Sequence, residues 1–126
     1  MFQYPMTMAL VAYRHVKNLC EIPVGWYDED GIFQAYDLAG RTLVFKVRST
    51  DAAGAREVID SSADASTCAP KSGATDVVEI AIPSDLATTT PAGSYEAAIV
   101  DTTDAATDGE VLIAVGTFEM REQAVW

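Results

Sequence analysis

The side chains from which nucleophilic catalysis or a transition-metal site is usually built are few: one histidine, His15, and two cysteines, Cys20 and Cys68. A nucleophile needs a base within hydrogen-bond reach. His15 stands between Arg14 and Val16 in what reads as an early strand or its edge, and Cys20 follows at a spacing that fits no nucleophile motif. His15 therefore reads as a surface or edge histidine. A structural zinc site takes about four Cys or His ligands, which these three residues do not supply. Two cysteines allow a single pairing; with no secretion signal preceding them they read as reduced, buried, small apolar residues. Carboxylates are plentiful. Asp28-Glu29-Asp30 precedes Gly31, and Asp101, Asp104, Asp108 and Glu110 bracket a second turn. Calcium uses such oxygens, but the glycine comes too early for a calcium loop and no third acid follows. Both runs read as solvated hairpin tips. No pair of acids is held across a cleft in the manner of a glycosidase. The expectation is a protein without catalytic residues, cofactor or metal.

Aromatic residues offer a different chemistry. Trp26 and Tyr27, with Tyr36, could stack on sugar rings as an exposed platform; the plainer reading packs Trp26 across a core. The chain ends are apolar and aromatic where chains are usually polar and frayed: Met1-Phe2-Gln3-Tyr4-Pro5-Met6 and Ala124-Val125-Trp126. Clustered apolar residues of these types favour interfaces. Phe2, Tyr4, Met6, Val125 and Trp126 are therefore expected to dock onto neighbouring subunits.

The elements that must position these residues are strands. Leu43, Phe45 and Val47 alternate with Val44, Lys46 and Arg48, and Val78, Ile80 and Ile82 alternate with Val77, Glu79 and Ala81. Tyr95, Ala97 and Ile99 repeat the pattern, and Val111–Val115 is apolar on both faces before Phe118 and Met120 alternate with Glu119 and Arg121. Period two is the signature of a half-buried strand. Strands are expected near 7–14, 19–27, 41–49, 55–61, 76–82, 94–101 and 110–121, with Gly31, Gly40, Gly54, Gly73 and Gly109 in the turns between. Pro83–Ala87 hints at one helical turn, and Ser61–Thr75 reads as an irregular surface loop. Seven short strands at this spacing predict an all-β fold, an immunoglobulin-like antiparallel β-sandwich. Thr90-Pro91-Ala92-Gly93-Ser94-Tyr95 would place Tyr95 at a corner, its hydroxyl returning to upstream backbone.

The bulk numbers agree with one domain. The chain has 126 residues, 49% of them hydrophobic, and a mean hydropathy of +0.10. The reading divides it into an N-terminal arm and first strand (1–18), the sandwich (19–121) and a C-terminal tail (122–126). Eight basic against 19 acidic residues give a net charge of −11. That excess disfavours nucleic acid and anionic membrane surfaces. No signal peptide is recognisable at the N-terminus, where the apolar run is followed, not preceded, by Arg14, His15 and Lys17.

The order of motifs carries a resemblance. Ala35-Tyr36-Asp37-Leu38-Ala39-Gly40 leads into Arg41–Arg48, then Val77–Pro83, Pro91-Ala92-Gly93-Ser94-Tyr95 and Gly116-Thr117-Phe118-Glu119-Met120. Over residues 19–121 this resembles the N-terminal immunoglobulin-like domain of upper-baseplate proteins and related virion proteins of tailed bacteriophages. The resemblance implies a non-enzymatic virion structural protein, made in the host cytoplasm, that decorates or connects capsid, neck or tail components. Its partners would be other virion proteins, in a symmetric, homo-oligomeric arrangement. The alternative expectation is a carbohydrate-binding, host-adhesion module using Trp26, Tyr27 and Tyr36.

Overall fold

A computed structural model describes residues 5–49, 56–107 and 109–122. The chain order is β1 (Met6–Tyr13), β2 (Asn18–Pro23), β3 (Gly25–Tyr27), β4 (Phe33–Ala35), β5 (Leu43–Ser49), β6 (Arg56–Asp60), β7 (Thr67–Lys71), β8 (Ala74–Ile82), α1 (Ser84–Thr89), β9 (Gly93–Asp101) and β10 (Val111–Arg121). A five-stranded sheet runs β1-β10-β9-β5-β6, a three-stranded sheet runs β2-β8-β7, and β3-β4 is a separate ribbon. The chain changes sheet between β1 and β2, β2 and β5, β6 and β7, and β8 and β9, while β5-β6, β7-β8 and β9-β10 are hairpins. The fold is an all-β sandwich built of these two main sheets.

The expected period-two rows supply the core. Phe45, Val47, Val78, Ile80, Ile82, Ile99 and Phe118 are fully buried, and Phe45 meets Phe118 with ring centroids 6.0 Å apart. That aromatic pair fills the interior; Trp26, expected to span the core, is half-buried and lies outside the core cluster. At β10 the register slips between Leu112 and Ala114, so neighbouring Ile113 and Ala114 are both buried. A bulge of this kind explains an apolar run that does not alternate.

Several expectations are corrected. The sandwich is not wholly antiparallel, because β1 pairs parallel with β10 from Met6↔Ala114 to Tyr13↔Arg121. The expected strand over 19–27 divides into β2, which pairs with β8, and β3, which pairs with β4. The Ser61–Thr75 loop contains β7, which pairs with β8 from Thr67↔Ala81 to Pro70↔Val78. Its Ser-, Ala- and Thr-rich sequence has no alternation strong enough to announce an edge strand, and pairing with β8 decides its conformation. Residues 61–66 form a bend, which Asp60 and Asp64 hold by accepting hydrogen bonds from the backbone N–H groups of Ser62 and Ser66 at 2.9 and 2.8 Å. The helical hint becomes α1, six residues long, with Ala87 buried beneath it. Met6, expected in a free arm, is the first residue of β1 and packs against the core.

Tyr95, the third residue of β9, is half-buried, and its hydroxyl donates to the Pro91 carbonyl at 2.6 Å. Its ring stands 6.3 Å from that of Phe118, which ties the β8–β9 corner to the interior.

Candidate aromatic groove at one end of the sandwich

The β3–β4 ribbon is built around one carboxylate. Asp28 Oδ1 accepts the backbone N–H groups of Asp30 and Ile32 at 2.9 and 3.0 Å, and Oδ2 accepts Gln34 Nε2 at 2.9 Å. The N–H of Ile32, foremost among these donors, holds the Asp28 carboxyl below its ordinary range. Gly31, at φ 76°, takes the left-handed position that closes the turn. The turn sets Tyr27 opposite Phe33, edge to face at 5.5 Å. The Phe33 ring lies across Gly25, where a Cβ would meet Phe33 Cζ at 2.4 Å and the Gln34 carbonyl oxygen at 2.3 Å. Only glycine admits this approach.

Between this ribbon and the start of β1 lies a groove of about 700 Å³, lined by Pro5, Met6, Pro23, Trp26, Tyr27 and Phe33. Tyr27 is 70% exposed, Phe33 42% and the adjoining Ile32 59%. An apolar, aromatic, solvent-facing concavity of this composition suits a proline-rich or apolar segment of another protein, or the face of a sugar ring.

The structure thus brings Trp26, Tyr27 and Met6 to one place. Tyr36 does not line that groove. Its backbone N–H donates to the Val24 carbonyl at 3.0 Å, its ring packs against the core, and burial pushes its hydroxyl pKa up. It borders a smaller cleft of about 270 Å³ with Arg41, Asp101 and Asp104. Phe2, Tyr4, Val125 and Trp126 lie outside the described residues. Phe33 and Ile32 escaped the sequence reading. Their signal was Asp30-Gly31 between the apolar pairs Trp26-Tyr27 and Ile32-Phe33, a strong short-range hairpin mark.

Residues considered for chemistry occupy structural positions. His15 is exposed in the β1–β2 turn with φ 71°, a left-handed conformation in which histidine is enriched. Cys20 and Cys68 are both in register with Ile80, from opposite sides of β8. Two strand spacings separate them, roughly 9.5 Å, beyond the reach of a disulfide. Burial raises both thiols, Cys68 up to about 12, so neither is a ready thiolate. Asp28 serves its own turn, and Arg41 pairs with Asp104 at 2.9 Å and Asp101 at 3.6 Å. Among the described residues no group of three or more His, Cys, Asp or Glu could hold a metal ion. Nor is any helix among them long and apolar enough to cross a membrane. No protein-family model and no curated protein matches the chain.

Proposed function

We propose that this protein is a non-enzymatic structural component of a bacteriophage virion, a sandwich module that decorates or connects capsid, neck or tail parts through protein–protein contacts. The observation that carries the reading is the exposed aromatic groove between β1 and the β3–β4 ribbon. Exposed apolar surface gathered at one end of a small, strongly anionic domain is costly unless a partner covers it. The motif order described above supplies the virion context. Mass spectrometry of purified particles from the phage that encodes the chain tests the reading. A fixed copy number per particle is the expected result, and absence from particles overturns it.

A second reading, carbohydrate binding, is favoured by the same groove, because Trp26, Tyr27 and Phe33 offer ring faces to a pyranose. It expects glycan-array binding that disappears in Trp26→Ala and Tyr27→Ala and survives in Tyr36→Phe, since Tyr36 stands apart.

A further inference from the structure

The two main sheets end in four edge strands, β1, β6, β2 and β7. Three carry devices that discourage pairing with another chain. β6 is five residues long with Arg56, Glu57 and Asp60, and its register against β5 is broken. β2 contains Glu21 and Pro23. β7 contains Pro70 and Lys71 and has an irregularity between them. Charge, proline, shortness and bulges are the means by which edges are kept from associating. β1 has none of them. It is eight residues long, Met-Thr-Met-Ala-Leu-Val-Ala-Tyr, without charge or proline, and its register with β10 is unbroken.

The hydrogen bonding of β1 fixes which residues are free to pair. Arg14 N–H donates to the Arg121 carbonyl at 2.9 Å, so the even-numbered side of the ladder faces β10. Tyr13 turns the other way, and both of its backbone groups are taken by the Asn18 amide at 2.9 and 2.8 Å. By the same alternation Thr7, Ala9 and Val11 direct their N–H and C=O groups away from the sheet. Their side chains lie on the outer face, where Val11 and Tyr13 are 39% and 38% exposed.

We infer that β1 is a homodimer interface, pairing antiparallel with β1 of a second copy about a two-fold axis at Ala9, so that two five-stranded sheets become one. In this register Ala9 faces its own counterpart, and Thr7 faces the partner's Val11 in both directions, each pair exchanging two backbone hydrogen bonds. Small and β-branched side chains sit opposite one another. The ladder is bounded at both ends. Tyr13, already satisfied by Asn18, falls opposite the partner's Pro5, which has no N–H to offer.

Charge selects the antiparallel arrangement and a second copy as the occupant. The Tyr13 end of β1 carries the β1–β2 turn with His15 and Lys17, beside Arg14, which pairs with Glu122 of its own chain. The Met6 end adjoins the β3–β4 ribbon, whose turn is Asp28-Glu29-Asp30. Antiparallel copies set the basic turn of each beside the acidic turn of the other. Parallel copies would set acid against acid. The inference holds whether or not the chain belongs to a virion.

The full chain is tested by sedimentation equilibrium and by cysteine crosslinking. The expected result is a dimer that Ala9→Lys weakens about tenfold or more with an unchanged far-ultraviolet spectrum, since it sets like charges opposite at the axis. Hydrogen-bonded antiparallel partners have Cα atoms about 5.5 Å apart, within disulfide range. Ala9→Cys therefore crosslinks into covalent dimers under mild oxidation, while Val11→Cys, out of register with itself, and the native chain do not. A monomer at every concentration overturns the inference, as does a dimer indifferent to a folded Ala9→Lys. Equal crosslinking through Val11→Cys and Ala9→Cys also overturns it. Should Ala9→Lys fail to fold, the comparison of the two cysteine variants decides. Particle composition is unaffected by any of these outcomes, so this inference and the virion reading fail separately.

Discussion

The Asn18 amide closes the β1–β2 turn from within. It accepts Tyr13 N–H at 2.9 Å and donates to the carbonyls of Tyr13 and Val16 at 2.8 and 3.0 Å, while being one of the few buried polar side chains. Replacing it leaves backbone groups without partners next to a residue already held at positive φ, His15. Asn18→Ala is expected to lose about 1–3 kcal/mol, read as a lower urea midpoint at unchanged slope. An unchanged midpoint would mean that water replaces the amide without cost. Asp28 works in the same way but titrates. Its folded-state pKa is depressed, with the Ile32 N–H as first cause, so its contribution is present above the ordinary carboxylate range and is lost as pH falls through the depressed value. Acid titration followed by Trp26 fluorescence should show the β3–β4 ribbon loosening below that range. In Asp28→Asn the acid-dependent step should be absent.

At the scale of elements, the tightest junction is the parallel pair β1–β10. A Cβ at Gly116 would stand 1.7 Å from the Met8 carbonyl oxygen and 2.7 Å from its carbon, so the strands meet this closely only over glycine. Gly116→Ala must push β1 away or twist it out of register. The expected loss is about 1–3 kcal/mol, the range of overpacked interiors, with faster hydrogen exchange concentrated in Met6–Tyr13. Uniform exchange along the chain would show that β1 does not separate as a unit. The strands legible from sequence were β1, β5, β6, β8, β9 and β10, most clearly β5, β8 and β9, where burial of one row imposes alternation. β7 and β4 were not legible. β7 is an edge strand whose residues are at most half-buried, and β4 is three residues in a ribbon outside both main sheets. The groove was legible by halves. Trp26 and Tyr27 stood out as an adjacent aromatic pair, but bringing them to Met6 requires knowing that β1 runs parallel beside β10 and starts near the ribbon.

For the whole molecule, the division between what folds and what recognises is set by where burial ends. Among the described residues, the core cluster runs from Met8 to Met120. Beyond it Arg14 reaches Glu122 at 2.7 Å, an ion pair with the glutamate largely exposed and worth at most about 1 kcal/mol. A truncation meant to remove apolar ends and spare the sandwich must therefore keep Pro5, Met6 and Glu122, which line the groove, start β1 and pair with Arg14. Removal of residues 1–4 and 123–126 takes away Phe2, Tyr4, Val125 and Trp126 and none of the described core residues. The melting temperature of the shortened protein should stay within about 4 °C of the parent, the shift that roughly 1 kcal/mol produces in a domain of this size. If the ends dock onto neighbouring subunits, incorporation into particles falls while the isolated dimer persists, because Thr7, Ala9 and Val11 remain. A collapse of melting temperature would instead assign the ends to the fold itself. Retained stability with full incorporation would leave the aromatic groove as the surface through which assembly proceeds.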